Sequence, residues 1–322
     1  MSDSSSAARP AGRHNLPYLI GGGVLLAAIA FIAGFVVGSN RTANAADDAS
    51  ESAPPPTTGA TASPAGDDTA GPGNFRSLDQ IRSSGQIRIG VFSDKAPFGY
   101  VNSAGDYAGY DVVYARRIAK DLGLDVEFVP VEAASRVAFL ESGKADLILA
   151  NFTVTAERAE KVDFANPYLK VALGVASPDS AVVTDLSQIK DGTVIVVKGT
   201  TAETYLEKNY PELTVAKYEQ YTEATSALLD GRGVAWVTDN TEALAWTLQN
   251  PGFTTGITSL GDADVIAGAV TKGNTTLLDW INSDLTDLGE ENFFHADYEE
   301  TLQPVYGDAV SPDELVVEGG KL

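Results

Sequence analysis

Cysteine is absent from the 322-residue sequence, and histidine occurs only twice, at His14 and His295. The absence of cysteine excludes disulfide bonds, thiolate metal sites, cysteine nucleophiles and a lipid-modified N-terminal cysteine. Two histidines that lie far apart in the chain do not predict a histidine-rich metal site. We therefore expect neither a metal nor another cofactor.

Basic residues are scarce, with 22 Lys and Arg against 44 Asp and Glu, so the formal net charge is −22 at pH 7. Nucleic-acid binding depends on basic patches, and this balance argues against a nucleic-acid partner. Hydrophobic residues make up 44% of the chain, which is enough for a packed core. The length alone favours two domain-sized units.

One long segment, residues 15–40, carries no charged side chain, and residues 16–37 within it are almost wholly apolar. Such a run can cross the hydrocarbon core of a membrane, about 30 Å thick, as a helix. Arg9 and Arg13 precede the run, and only Arg41 follows it closely. The positive-inside rule then places the N-terminus in the cytoplasm and the rest of the chain outside.

This segment predicts a single-pass protein of the cell membrane, with residues 1–15 cytoplasmic and residues 16–38 as a transmembrane anchor or signal segment. The alternative is secretion after cleavage near Ala45, because Ala-Asn-Ala at 43–45 fits a signal cleavage site. Residues 39–74 are rich in Ala, Ser, Thr, Pro, Gly and Asp and show no periodic apolar face. They predict a disordered linker, so the extracellular folded part begins near Phe75.

From Phe75 onward, short apolar strands alternate with amphipathic helices. Strands are predicted over residues 86–91, 126–129, 146–150, 194–198 and 234–238. Helices are predicted over residues 78–84, 111–122, 134–142, 222–230, 239–249 and 275–289, with a further helical stretch ending at 209. This alternation implies parallel sheets, whose ligands bind at the carboxyl ends of the strands.

Polar residues follow three of these strands, where hydroxyls, free N–H groups and charges would face the crevice of a sheet. They are Asn151 and Thr153 after the third strand, Thr200 and Thr201 after the fourth, and Asp239 after the fifth. Thr200 and Glu203 have the spacing of a capping box at a helix start. Thr155 is placed to cap the short turn that carries Arg158.

Five motifs occur in order and cover almost all of residues 78–322. They are GYDV (109–112), ADLILANFTVTAERAEKVDFANPY (145–168), KGTTAETYLEKNYP (198–211), WVTDNT (236–241) and GEENFFHADYEETLQPVYG (289–307). Together they resemble the extracytoplasmic solute-binding proteins of polar amino-acid ABC importers, of the family 3 type. Two departures are Val113, where many members have an acidic residue, and the missing lipid-modified cysteine, for which the membrane helix would substitute.

The resemblance implies an α/β, bilobal, periplasmic-binding-protein-like fold in which two α/β lobes, joined by two hinge strands, close on one amino acid. The first lobe would comprise residues 75–177 and 269–322, and the second lobe residues 178–268. The transmembrane helix and the disordered linker would precede both lobes.

The resemblance also implies roles for individual residues. Arg158 stands where the family's TxxER motif has its arginine, so its guanidinium would bind the ligand's α-carboxylate through two parallel hydrogen bonds. Asp239 would accept from the α-ammonium, with an ordinary helix cap as the alternative. Thr153 would offer a hydroxyl and an N–H, unless it only caps, and Asn151 would contribute mainly through its main chain.

Thr200 and Thr201 would stand at a helix start in the second lobe, from which their N–H groups and hydroxyls could reach the carboxylate after closure. A purely structural cap is the alternative for Thr200. Phe98 could cover the ligand or belong to the core. Lys95 or Arg136 could hold a side-chain carboxylate or could be solvated surface charges.

The stretches VFSDKAPFGY, EAASRVAFL and NFTVTAER are most similar to the cysteine-binding branch of the family. Cysteine is the favoured ligand, because a small neutral side chain needs no second counter-charge. Glutamate or aspartate is the main competitor.

The partners implied are an ABC permease and its ATPase, since nothing in the chain resembles a nucleotide-binding loop. We expect a monomeric binding protein that is not an enzyme. The alternatives are an enzyme on the same fold, such as a dehydratase, and the sensor domain of a receptor. Neither His14 nor His295 is an attractive general acid or base, and the N-terminal side is too short for an output domain.

Overall fold

The computed structural model describes residues 74–322. The predicted cytoplasmic N-terminus, membrane segment and nearly all of the predicted linker, residues 1–73, lie outside the described residues. Among residues 74–322, no helix combines the length and the apolar character that crossing a bilayer would require.

The strands of the described part form one large and one small sheet. They are β1 (Gln86–Val91), β2 (Asp94–Lys95), β3 (Gly99–Val101), β4 (Tyr107–Ala108), β5 (Asp125–Pro130), β6 (Leu147–Ile148), β7 (Val162–Pro178), β8 (Thr193–Val197), β9 (Thr214–Tyr218), β10 (Ala235–Asp239) and β11 (Phe253–Thr271).

Helices connect and flank these strands. They are α1 (Leu78–Ser84), α2 (Tyr110–Leu122), α3 (Arg136–Glu141), α4 (Ala156–Ala159), α5 (Thr201–Asn209), α6 (Tyr221–Leu229), α7 (Asn240–Gln249), α8 (Thr275–Glu290), α9 (Phe293–Asp297), α10 (Gln303–Tyr306) and α11 (Pro312–Leu315). A π-helical stretch at Tyr298–Leu302 joins α9 to α10. Ala133–Ser135 forms a 3-10 turn immediately before α3.

The large sheet has the strand order β5-β1-β6-β11-β7-β10-β8-β9. On one side β1 pairs in parallel with β5 and β6, and on the other side β8 pairs in parallel with β9 and β10. The long strands β7 and β11 pair with each other antiparallel in the middle, with several irregularities in register. The chain therefore crosses the sheet twice, once through β7 and once through β11.

These crossings divide the described chain into two halves. We call β1–β6, α1–α4 and the segment after β11 the β1 half, and β8–β10 with α5–α7 the β8 half. Two α/β halves joined by two long strands is the periplasmic-binding-protein-like arrangement expected from the motifs. The finer lobe boundaries at residues 177 and 268 remain a prediction.

The prediction of parallel sheets holds for the strands on both sides of the large sheet, but the antiparallel strands β7 and β11 make the sheet as a whole mixed. The first part of β11 is half exposed and contains threonine, glycine and aspartate, so neither alternation nor an apolar run marks it as a strand. The predicted helix over 134–142 is a 3-10 turn followed by the shorter helix α3.

Local sequence explains where α1 and α2 begin and end. The hydroxyl of Ser77 accepts from the Gln80 N–H at 3.3 Å, and the Gln80 side chain accepts from the Ser77 N–H at 2.8 Å. This capping box starts α1. Gly85 and Gly123 end α1 and α2 in the left-handed conformation, at φ 74° and 69°, which glycine adopts without steric cost.

Two buried clusters position the site. One lies mainly in the β1 half and the crossing strands, where the rings of Tyr114, Tyr168 and Phe294 pack between α2, β7 and α9. The other extends across both halves, and in it the ring of Phe92 meets the edge of Tyr221 with centroids 5.2 Å apart. The halves are thus in direct apolar contact beside the polar residues described next.

Candidate ligand-binding site

The two halves meet through polar groups that follow the strands. The Asp94 carboxylate in β2 accepts from the N–H groups of Tyr221 and Thr222, at 2.7 and 3.3 Å, at the start of α6. A carboxylate is stabilised at this end of a helix because free N–H groups point outward there. This contact ties the loop after β1 to the β8 half.

Lys95, the neighbour of Asp94, is 1% exposed and also reaches across to the β8 half. Its Nζ lies 2.7 Å from Asp239 Oδ2, 3.2 Å from Glu242 Oε2 and 3.2 Å from the Tyr221 hydroxyl. All three ammonium hydrogens therefore have acceptors. Although burial opposes the charged form, Asp239 and Glu242 hold the pKa of Lys95 well above its ordinary value.

Asp239 ends β10 and occupies the cap position of α7, yet its side chain makes no capping hydrogen bond. Its Oδ2 accepts instead from Lys95 and from Asn151 Nδ2, the latter at 2.8 Å. The side chain therefore does not act as the helix cap that was the alternative to ligand contact, although the residue stands at the cap position. Its carboxylate faces the meeting point of the two halves.

Asn151 follows β6 in a left-handed conformation, with φ 42°, which asparagine tolerates better than most residues. Its N–H donates to Asp111 Oδ2 at 2.7 Å, and Asp111 Oδ1 accepts from the Tyr168 hydroxyl at 2.7 Å. The side-chain Oδ1 of Asn151 is buried and accepts no hydrogen bond from the described residues. An unsatisfied buried acceptor at this position is available to a ligand donor.

Arg158 lies in α4, which begins after Thr155 as expected, because the Thr155 hydroxyl accepts from the Arg158 N–H at 3.2 Å. The guanidinium donates to the carbonyls of Thr153 and Gly199, at 2.7 and 2.9 Å. Arg158 forms no ion pair with a carboxylate of residues 74–322, although Asp239 is near enough to act on its charge. Burial lowers the pKa of Arg158.

Arg136 is a second guanidinium beside the first. Arg136 is 3% exposed and Lys95 is 1% exposed. The alternative that these two residues are solvated surface charges is therefore wrong. Arg136 donates to the carbonyls of Ala133, Ala150, Asn151 and Gly199, at 2.9, 3.0, 3.3 and 3.1 Å. Burial and the repulsion of Arg158 lower the pKa of Arg136 to about 9, so the group stays positively charged at neutral pH.

Both guanidiniums lie over the Phe152 ring, with their central carbons 4.2 Å (Arg136) and 4.9 Å (Arg158) from its centroid. Both also donate to the same carbonyl of Gly199, which follows β8 in the β8 half. A Cβ on Gly199 would lie 2.6 Å from the Ala134 nitrogen, so the two backbones approach each other closely here. Gly199 is thus the residue through which the β8 half contacts Arg136 and Arg158.

The remaining predicted residues surround this point. Thr153 is 4% exposed, and its segment forms an antiparallel bridge with Ile266. Thr200 caps α5, because its hydroxyl accepts from the Glu203 N–H at 3.3 Å and donates to the Val197 carbonyl at 2.7 Å. Its side chain therefore has the structural role that was the alternative to ligand contact. Thr201 is half-buried as the first residue of α5.

Phe98 is fully buried in the core of the β1 half, and its ring centroid lies 5.8 Å from Lys95 Nζ. Of the predicted residues, the structure therefore gathers Lys95, Asn151, Thr153, Arg158 and Asp239 in one network. Phe98 contributes from the core side, and Thr200 through its helix cap.

Sequence reasoning missed three participants. Glu242, Tyr221 and Asp111 are buried, and burial raises the pKa of Glu242 to about 7 and that of Asp111 to about 6. The only sequence signal for Glu242 is its position three residues after Asp239, which places it in the first turn of α7. The described residues contain no cluster of acidic or histidine side chains arranged to hold a metal ion.

Comparisons with known proteins agree with this arrangement. The model of the bacterial extracellular solute-binding proteins, family 3, matches residues 87–300. The ABC transporter glutamine-binding protein GlnH of Bacillus subtilis (strain 168) is 30% identical over 232 residues, which cover 70% of this chain and 84% of the relative.

Two solved structures are similar over most of the described part. The solute receptor for L-cysteine of Neisseria gonorrhoeae is 51% identical, with a TM-score of 0.74 over 76% of this chain and 100% of that one. The cysteine-binding protein from Campylobacter jejuni is also 51% identical, with a TM-score of 0.74 over 75% of this chain and 98% of that one.

The matching family model describes solute-binding proteins, and the three similar proteins above are named as binding proteins or solute receptors, which supports the prediction that this chain is not an enzyme. The chain belongs to the bacterial extracellular solute-binding proteins of family 3, and is an amino-acid-binding protein of the ABC-transporter type.

Proposed function

We propose that the protein binds one free amino acid with a small neutral side chain, cysteine above all, where the two halves meet, and delivers it to a membrane permease. The similar proteins of Neisseria gonorrhoeae and Campylobacter jejuni are both named for cysteine. The contacts of the described residues support the proposal independently, one subsite at a time.

The observation that carries the proposal is the guanidinium of Arg158, which has no carboxylate partner among the described residues. Its hydrogen bonds go to the carbonyls of Thr153 and Gly199, which satisfy donors but bring no negative charge into direct contact with the guanidinium. A partly buried cation is less stable without a counter-charge in contact with it. The α-carboxylate of an amino acid would supply that counter-charge in the planar geometry that a guanidinium prefers.

The α-ammonium subsite lies between Asp239 and Asn151. The Asp239 Oδ2 is taken by Lys95 and Asn151, while its Oδ1 accepts no hydrogen bond from the described residues. The buried Oδ1 of Asn151 is equally without a donor. An ammonium group brings three donors, and these two oxygens would accept two of them.

The same contacts favour cysteine over glutamate or aspartate. An acidic side chain would need a second free cation, and Lys95 and Arg136 are the only candidates that the sequence suggested. Lys95 already has three acceptors, and Arg136 donates to four carbonyls. Binding a second carboxylate would break some of these buried contacts, whereas a small neutral side chain requires no such rearrangement.

Delivery would follow the capture of the ligand. An open form would bind the amino acid on the β1 half, and closure would add Gly199 and the start of α5 from the β8 half. The partners would be an ABC permease and its cytoplasmic ATPase. Residues 16–38 would hold the monomeric protein at the cell membrane with the binding part extracellular, unless cleavage near Ala45 releases it.

The test is a thermal-shift screen of the full-length protein in detergent against the twenty amino acids plus cystine, followed by calorimetry under reducing conditions. A ligand that binds only the folded state raises the melting temperature by mass action. We expect cysteine to give the largest rise. A larger rise with glutamate or aspartate would refute the neutral-ligand assignment, and no rise with any amino acid would refute the proposed function.

A further inference from the structure

Lys95 has an environment that is built for a cation. Its ammonium lies 4.5 Å from the Tyr221 ring centroid, 5.7 Å from that of Phe92 and 5.8 Å from that of Phe98. Asp239 and Glu242 supply two carboxylates at 2.7 and 3.2 Å. We call these three rings and two carboxylates the ammonium cage.

The ammonium cage draws its parts from both halves of the molecule. Phe92 and Phe98 belong to the β1 half, as does Lys95 itself, whereas Tyr221, Asp239 and Glu242 belong to the β8 half. Aromatic faces combined with carboxylates attract ammonium and guanidinium groups in general, from a ligand as well as from the chain. Here the chain fills the cage with one of its own side chains.

The cage is continuous with the proposed ligand site. Asp239 Oδ2 accepts from Lys95 Nζ and from Asn151 Nδ2, so the ammonium of Lys95 lies one carboxylate away from the buried, unpartnered Asn151 Oδ1. A ligand bound to Asp239 and Asn151 would therefore lie next to the ammonium of Lys95.

From this geometry we propose that Lys95 determines the class of ligand: its ammonium occupies the cage and thereby excludes amino acids with a cationic side chain. The inference rests on the proposed function and deepens it. Without the Lys95 side chain, the rings and carboxylates would form a vacant subsite for an ammonium or guanidinium group beside the ligand's α-carbon substituents. When the Lys95 side chain is present, a cationic ligand side chain is repelled by its buried ammonium, and the acceptors of the cage are already occupied.

The variant Lys95→Ala tests this directly. We expect it to bind lysine, ornithine or arginine at least about tenfold more tightly than the wild type does in calorimetry, because cation–π and ionic contacts in a desolvated cage become available. Propylammonium chloride is a second probe, since it resembles the deleted side chain. It should raise the melting temperature of Lys95→Ala by several degrees and leave that of the wild type unchanged.

Lys144→Ala is the matched control. Lys144 is an exposed lysine whose ammonium lies 5.0 Å from the centroid of one ring, that of Phe139, so its removal opens no enclosed cage. It should show neither the gain for cationic amino acids nor the response to propylammonium.

The deletion leaves two buried carboxylates without their cation, which could prevent folding. The double variant Lys95→Ala/Glu242→Gln removes one of these charges and keeps Asp239, and the same gains in binding and in melting temperature are expected of it. Absence of both gains in the folded variants overturns the inference. Tighter cysteine binding without any gain for cationic amino acids also overturns it, because Lys95 would then compete with the ligand's α-ammonium.

Failure of the proposed function would look different from these outcomes. A wild type that binds no amino acid refutes the proposed function, whereas the response to propylammonium still reports whether the cage accepts an external cation.

Discussion

A single methyl group at Gly199 should separate the two halves. The Cβ of Gly199→Ala would lie 2.6 Å from the Ala134 nitrogen and 2.9 Å from the Ala133 carbonyl carbon, whereas ordinary contacts begin at 3.4 Å. The backbones must then move apart by nearly 1 Å. The hydrogen bonds from Arg136 and Arg158 to the Gly199 carbonyl, now 3.1 and 2.9 Å, would lengthen to about 4 Å and be lost.

Each of these bonds has a charged donor and contributes about 1.5 kcal/mol or more, so the closed arrangement should lose about 3 kcal/mol. If the ligand is held by both halves at once, this loss corresponds to a roughly hundredfold weaker affinity. Calorimetry with the preferred amino acid measures it.

Gly231→Ala is the control for the backbone conformation. Gly231 has φ 68°, close to the 73° of Gly199, but no atom lies within 4 Å of the position that its new methyl group would take, so only the left-handed conformation is penalised. We expect Gly231→Ala to bind like the wild type. If Gly199→Ala binds within about threefold of Gly231→Ala, the contact at Gly199 does not stabilise the closed arrangement and the reasoning fails.

The site and the N-terminal segment lead to four further predictions. Arg158→Ala should abolish amino-acid binding with the fold intact, whereas Arg232→Ala, which removes an exposed arginine, should leave the dissociation constant unchanged. Asp239→Asn should weaken binding strongly because the ligand ammonium loses its counter-charge, and near-wild-type affinity in calorimetry would count against that role. Residues 1–45 should remain on the mature protein, so N-terminal sequencing that starts at Ala46 would show secretion instead. Glu242→Gln should flatten the dependence of unfolding free energy on pH between about pH 5 and pH 8.

Residues in local patterns were predictable from the sequence. The helix of residues 201–209 and the cap formed by Thr155 depend on contacts within a few positions, the strand β1 is marked by its short apolar pattern, and the structure contains all three. The family motifs also placed Arg158 in the turn after β6 and Asp239 at the carboxyl end of β10, although both residues have partners that are distant in sequence. For the helix and the cap, the relevant partners lie close in sequence, where spacing carries the information.

The pairings that shape the site join distant positions, and no local pattern encodes them. Lys95 and Asp239 are 144 residues apart. From the sequence alone, a lysine in a polar loop is expected to be an exposed surface charge, whereas Lys95 is buried in the folded protein. The same holds for Arg136, whose acceptors are main-chain carbonyls that have no sequence signature. Contacts between distant parts of the chain therefore determine that Lys95 and Arg136 are buried, and only the tertiary structure shows these contacts.

The pKa of Glu242 determines the sign of its effect on stability. Burial raises this pKa from 4.5 to about 7, against the attraction of Lys95 and with the repulsion of Asp239 adding to it. Between these two values the folded state holds a proton that the unfolded state has lost, so the free energy of unfolding falls as pH rises. The contribution of the protonated Glu242 side chain to the free energy of unfolding is complete below about pH 4.5 and is lost above about pH 7.

The difference between wild type and Glu242→Gln isolates this effect, because Asp111, whose pKa is also raised by burial, is present in both proteins. Relative to the variant, the wild type should lose up to about 3 kcal/mol of unfolding free energy between pH 5 and pH 8 in urea titrations. A constant difference across that range would mean that Glu242 keeps the same charge in the folded and unfolded states. Lys95 would then compensate the burial of Glu242 fully, and the ammonium cage would hold two ionised carboxylates at neutral pH.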